Sequence, residues 1–210
     1  MKKKLMISLL VVCVLLPAAL SAAVLDLSLG VTAQYKDSLG TIKTAIDSDN
    51  FDGLANFDNY ALGADVRFKL LIAEVDLVGK FSQETSNTGI EYTKIEVLTT
   101  AGVSMDLLGF ARIGFGMGPN WIVRMDKDGK FTIFDAGGAP QTIDTLGETF
   151  INSPVAYRAT LDFNLGKLMF GLNYTLETDY TFKKPGEVDK LFNAKMDDGT
   201  VGVSLLFSLF

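Results

Sequence analysis

The chain has no histidine and a single cysteine, and past residue 24 it has no long apolar run. Each absence removes a class of function. Without imidazole there is no His-based acid–base chemistry and no imidazole metal ligand. A serine near a carboxylate, such as Ser104 near Asp106, then has no base to activate it and reads as an ordinary polar residue. The chain is therefore read as non-enzymatic, with no cofactor and no bound metal. The one cysteine, Cys13, sits inside an N-terminal apolar stretch, so disulfides do not stabilise residues 24–210. A helical membrane span needs about 18 apolar residues in a row, and 24–210 offers none. Positive charge is also scarce: 19 Lys+Arg stand against 25 Asp+Glu, a net charge of −6. An acidic chain of this kind excludes nucleic acid as an expected partner.

The N-terminus has the organisation of a secretory signal. Lys2, Lys3 and Lys4 are followed by the apolar stretch from Leu5 to Leu16, then Pro17 and small residues. Cleavage after Ala22 or Ala23 fits best. Residues 1–23 are thus expected to be removed, which leaves 24–210 with a net charge of −9 (16 Lys+Arg against 25 Asp+Glu). The segment LVVC at 10–13 loosely resembles a lipidation signal. Val12 is large where that signal needs a small residue, and the apolar run continues past Cys13, so a removed core cysteine is the reading adopted.

What the chain does have is alternation. Leu25, Leu27, Leu29, Val31, Ala33 and Tyr35 fall on one face of the first run; Asp26, Ser28, Gly30, Thr32, Gln34 and Lys36 fall on the other. Successive strand side chains point to opposite sides, so the run has one apolar and one polar wall. Seven more such runs follow, near 60–70, 73–84, 94–105, 111–118, 155–165, 168–177 and 200–209. Ordinary strands stop after about five or six residues, whereas a strand crossing a bilayer needs about 9–11. Eight long alternating runs predict an all-β fold: an eight-stranded antiparallel up-and-down transmembrane barrel, residues 24–210. Connections at 70–73, 106–109 and 164–167 are tight; those near 37–59, 85–93, 119–153 and 183–199 are long. Short periplasmic turns and long extracellular loops are the habit of bacterial barrels, and an even strand count puts both ends on the periplasmic side. Tyr35, Tyr60, Trp121, Tyr157 and Tyr180 all fall at long-loop ends, where amphipathic rings would form an interfacial belt. A soluble barrel shows the same alternation with the walls reversed. Run length and the Gly, Ser and Thr of the polar wall favour the membrane version.

The polar wall carries mixed charge. Arg67, Arg112 and Arg158 are expected to point inward with Asp65, Glu74, Asp76, Glu96, Asp162 and Glu177. An eight-stranded barrel is only wide enough for side chains to fill it, and buried charges must be paired, so a salt-bridged plug is the first reading and a narrow ion or solute path the second. In the third long loop, Asp128-Gly129 between Trp121–Met125 and Lys130–Phe134 predicts a hairpin with a type I′ turn. A ten-stranded barrel is the alternative, but Lys130–Phe134 is too short to cross. The stretch DSDNFDG (47–53) looks somewhat like a calcium loop, but Phe51 stands at its fifth position, where an oxygen ligand belongs. A solvated acidic loop is the simpler reading. Loop 37–58 has net charge −4 and loop 183–196 net +2; such loops are where a host or envelope ligand would bind.

With this architecture the chain resembles the small eight-stranded outer-membrane barrels of bacteria, of the OmpX and OmpW type. The likeness rests on the signal sequence, the strand count, the loop asymmetry and the closing FSLF at 207–210. It implies residence in the bacterial outer membrane, lipid as the surrounding partner, passage by periplasmic chaperones, and a C-terminal assembly signal (Phe207, Phe210) read by the barrel-assembly machinery. Phe210 falls opposite Phe207, Leu205 and Val203, so either the outward set is misread near the end or the strand slips by one. Membrane-barrel proteases, phospholipases and acyltransferases depend on a histidine that this chain lacks. Two function classes stand: a barrel acting through surface-exposed loops or as a structural envelope component, and a small channel for ions or small hydrophobic solutes.

Overall fold

The long alternating runs become long strands because their β-branched and aromatic residues share one face and every interior backbone group finds a partner on a neighbouring strand. In the computed structural model, which describes residues 25–85, 89, 91–129, 131–134, 140–141 and 146–209, the strands are β1 (Leu25–Tyr35), β2 (Tyr60–Leu70), β3 (Ala73–Thr85), β4 (Glu91–Leu107), β5 (Ala111–Met125), β6 (Phe131–Phe134), β7 (Pro140–Gln141), β8 (Pro154–Leu165), β9 (Leu168–Thr181) and β10 (Thr200–Ser208). Eight of them close a ring in the order β4-β3-β2-β1-β10-β9-β8-β5, with β5 returning to β4, and every pairing is antiparallel. The fold is the expected eight-stranded up-and-down barrel. β6 and β7 extend the sheet beyond β5 and lie outside the ring.

The walls are arranged as a membrane barrel requires. Among the described residues the buried polar side chains number 24 and the buried apolar ones 11, while Val31, Leu62, Leu77, Phe115, Leu172 and Leu205 are exposed on the outer wall. A soluble barrel would invert that balance. Turns at 71–72, 108–110 and 166–167 close one end; segments 36–59, 86–90, 126–153 and 182–199 connect strands at the other. Gly109 and Gly166 adopt left-handed backbone at the short-turn end (φ +76° and +74°), at no steric cost, while Leu71 and Leu108 adopt it there despite a Cβ (φ +58° and +51°).

Details of the loops and of the last strand differ from the expectations or refine them. The first long loop is not simply a solvated acidic loop: it folds into helices α1 (Leu39–Asp47) and α2 (Asp52–Ala55), with Ser38 as the N-cap accepting from the Thr41 amide. Among the described residues, DSDNFDG included, no three acidic groups gather where they could hold a metal ion. The hairpin joining β5 to β6 forms with Met125 opposite Phe131, but its turn is not type I′. Gly129 has φ +77° and donates to the Asp126 carbonyl at 3.0 Å, while Asp128 is not left-handed, which leaves one positive-φ residue where type I′ needs two. The last strand does not slip: Val203, Leu205, Phe207 and Leu209 all face outward, and the Leu209 amide still bonds the Leu27 carbonyl at 2.9 Å. Phe210, residues 1–23 with Cys13, and Lys130 lie outside the described residues.

Candidate functional site

Register turns the inward rows into stacked tiers. Nearest the short turns, Arg112 on β5 spans the lumen: it donates to Asp26 on β1 at 2.5 Å and to Asp106 on β4 at 2.8 Å, and it lies 4.0 Å from Glu74 on β3. Lys69 shares Asp106. Ser28 and Ser208 donate to the other oxygen of Asp26 at 2.9 and 3.0 Å. Met169 and Leu206, opposite each other across β9 and β10, are buried at this level.

The second tier is the most enclosed. Arg67 donates to Asp65 at 2.9 Å and to Asp162 at 2.5 Å; Arg158 donates to Asp65 at 2.6 Å and to Asp76 at 3.0 Å. Ser204 donates to Asp65 at 2.9 Å. Arg67 is 1% exposed, Arg158 2% and both Asp65 and Asp162 0%. The contacts cross the barrel, joining β2 to β8 and β8 to β3. Gly171 makes room for this tier: a Cβ there would stand 2.3 Å from an Asp162 oxygen. Above it, Val78, Leu98 and Ala156 form an apolar tier.

At the long-loop end the lumen holds a cavity of about 200 Å³. Its wall includes Gln34, Lys80, Glu84, Lys94, Glu96, Asn120 and Glu177. Glu96 accepts from Lys80 at 2.7 Å and from Lys94 at 2.5 Å; Glu84 lies 3.7 Å from Lys94. Lys80 also donates to Gln34, and Asn120 donates to Glu177.

The loops above are tied together. Lys43 of α1 pairs with Asp197, the Leu39 amide bonds the Gly199 carbonyl at 2.6 Å, and Tyr174 donates to the Met196 carbonyl at 2.5 Å. The contact joins the one lysine of loop 37–58 to an aspartate just beyond the basic stretch 183–196. In the last loop Lys190 donates to Glu187 at 2.7 Å, with Lys184 at 3.7 Å, and these ammonium groups hold Glu187 below the usual carboxylate range. Phe57, 87% exposed, and Phe192, 76% exposed, project from the loops with Ile46, Phe51 and Met196.

The nine charges named from sequence all fall on the inner wall, but they form three groups rather than one cluster. Arg112 and Glu74 lie at the bottom; Asp65, Arg67, Asp76, Arg158 and Asp162 lie in the middle; Glu96 and Glu177 line the mouth, with Glu177 exposed to solvent. Asp26, Lys69 and Asp106, absent from that set, complete the bottom tier. Their parity along the strands is the signal that finds them. The five aromatics named as an interfacial belt all lie at the long-loop end, and most of them pack against loop residues or other rings. Tyr35 is buried beside Tyr60 (ring centroids 5.4 Å apart), with its hydroxyl close to Gly53 of α2. Tyr60 donates to the Leu54 carbonyl at 2.8 Å. Trp121 meets Phe150 of α3 (Leu146–Asn152) edge-on at 6.3 Å; Phe150 stacks on Phe182 at 5.7 Å, and Phe182 meets buried Tyr180 at 6.0 Å. The reason is topological: β5 pairs with β8 only as far as Pro119 and then pairs with β6, and rings fill the opening. Tyr157, stacked on Phe115 at 5.9 Å, remains partly exposed.

No protein-family model matches the chain, and neither does any curated protein. Among solved structures it is similar to Ail, the attachment invasion locus protein of Yersinia pestis, crystallised in complex with the heparin analogue sucrose octasulfate; the two are 14% identical over 88% of this chain and 95% of that one, with a TM-score of 0.42. It is similar also to Neisserial surface protein A (NspA), at 8% identity over 89% of this chain and 96% of that one, with a TM-score of 0.41.

Proposed function

We propose that the chain is a non-enzymatic barrel of the bacterial outer membrane with a largely filled lumen, and that it works through the loops at its long-loop, extracellular end. The observation that carries this reading is the middle tier: side chains from β2, β3 and β8 meet across the lumen through bonds of 2.5 to 3.0 Å, with both arginines no more than 2% exposed. The apolar tier above it and the Arg112 tier below it support the same conclusion. A filled interior leaves two working surfaces, the wall and the loops. The wall is hydrocarbon in character and suits lipid. The loops combine bulky exposed side chains such as Phe57 and Phe192 with local ion pairs, a composition suited to contact with a partner. Residues 1–23 would serve as the export signal and Phe207 with Phe210 as the assembly signal.

Planar-bilayer recording of purified protein tests the filled lumen: the wild type and Arg112→Ala are expected to give no discrete openings, because the middle tier still closes the path in the variant. Steady single-channel openings in the wild type would overturn the reading in favour of a small channel. Protease treatment of intact cells tests the loops, with cleavage expected within 119–153; an uncut loop would count against surface action.

A further inference from the structure

We infer that the cavity at the barrel mouth is a binding site for a small organic cation carrying a primary ammonium group. The inference goes beyond loop-based action and holds whether or not the loops engage a partner. Three observations carry it. Most of the cavity wall comes from strand residues on β1, β2, β3, β4, β5, β9 and β10, which the barrel holds, and Lys36 and Asp198 join it from the adjoining loops. Its volume of about 200 Å³ is the space of roughly six or seven waters at ~30 Å³ each, enough for a short aliphatic amine.

The wall's hydrogen-bonding capacity is also one-sided. Lys80 and Lys94 are already engaged by Glu96, and Lys80 also by Gln34. Unused capacity lies with acceptors. Glu177 accepts from Asn120 and has no salt-bridge partner among the described residues. Asn120, 2% exposed, lines the cavity, and its buried carbonyl oxygen has no hydrogen-bond partner among the described residues. Glu84, by contrast, is occupied: it accepts from Tyr92 at 2.8 Å and from Ser82 at 3.4 Å and lies 3.7 Å from Lys94, so the free capacity rests with Glu177 and Asn120. An ammonium group supplies three donors and one positive charge to that set.

The third observation is the field. The charged wall groups are Lys36, Lys80 and Lys94 against Glu84, Glu96, Glu177 and Asp198, a net of −1, and Tyr35 adds a neutral phenol. At the same end, loop 37–58 adds net −4 and segment 183–196 net +2, so the surroundings stay negative. A low-dielectric recess with one sign of excess charge concentrates counter-ions.

The test uses the folded full-length barrel in detergent and 1,4-diaminobutane as the probe, with calorimetry and the side-chain amide NMR signal of Asn120 as readouts. Saturable binding with a Kd of about 1 mM or tighter is expected, with a shift of the Asn120 signal. Butyrate, which carries no donor cation, is expected not to bind. Glu177→Gln is expected to weaken binding about tenfold or more, while Lys94→Gln, which removes a competing positive charge, tightens it. These opposite signs keep the test decisive if one variant folds poorly. Absence of saturable binding, an unchanged affinity in Glu177→Gln, or Mg²⁺ competing at equal concentration as a mere counter-ion would each overturn the assignment. None of those outcomes touches the conductance result, so failure here is separable from failure of the filled-lumen reading.

Discussion

Replacing Arg67 with methionine probes the middle tier most sharply. The side chain is 1% exposed and bridges Asp65 and Asp162. Its loss affects the two carboxylates unequally. Asp65 keeps Arg158 at 2.6 Å and Ser204 at 2.9 Å. Asp162 has no other salt bridge among the described residues, and its second oxygen is already without a partner. One carboxylate, 0% exposed, is therefore stranded. Breaking a buried pair in this way costs about 3–5 kcal/mol. Asp162→Asn alone leaves Arg67 with Asp65 and should cost only about 1–2 kcal/mol, the loss of one charge-assisted bond. In the double variant no charge is stranded, so its cost should fall below the sum of the singles by about 2 kcal/mol or more. Equilibrium unfolding in urea from lipid vesicles, followed by the single tryptophan, Trp121, measures all three. If both single variants cost under about 1 kcal/mol and add within ~0.5 kcal/mol, water solvates these groups and the claim of a filled lumen fails.

Other outcomes follow from the same geometry. Gly171→Val should destabilise by about 3 kcal/mol, because the new Cβ would stand 2.3 Å from an Asp162 oxygen and push it off Arg67; combined with Asp162→Asn, the loss should be far from additive. Leu98→Ala should cost about 2–4 kcal/mol by opening a void in the apolar tier, yet produce no conductance while the charged tiers remain. Phe150→Ala should leave global stability within about 1 kcal/mol, since Phe150 is 40% exposed, but it should shift Trp121 emission and speed proteolysis within 126–153 by freeing α3 from the rim.

Much of the fold was legible because a period of two is hard to produce by accident over a dozen residues. Tyr60–Leu70 forms a strand with the bounds read from its alternation, and β2 and β3 meet where the tight turn was placed. What alternation hides is any residue whose polarity disagrees with its face. Val78, Leu98, Met169 and Leu206 point inward though apolar, so they do not register as lumen residues when apolar is equated with outward. Asp106 was read as part of a turn because its run was ended at Met105, yet β4 continues to Leu107 and carries Asp106 into the lumen. The aromatic positions were legible but their cover was not: α2 over Tyr35 and the Phe150–Phe182 stack beside Tyr180 are long-range contacts that no local pattern encodes. Likewise the mouth cavity required knowing that Asn120 of β5 and Glu177 of β9 meet although β8 lies between their strands.

Which wall meets hydrocarbon is the claim beneath all of these, and residues 24–210 contain no cysteine to interfere with a labelling test. Single nitroxide-labelled cysteines at Val31, Val66, Val203 and Leu205, compared with Thr32, Ser104, Thr160 and Ser204, would report collision with oxygen dissolved in the bilayer. High oxygen collision at the first four and shielding at the second four is the predicted alternation. The opposite pattern, or equal access on both faces, would contradict the account.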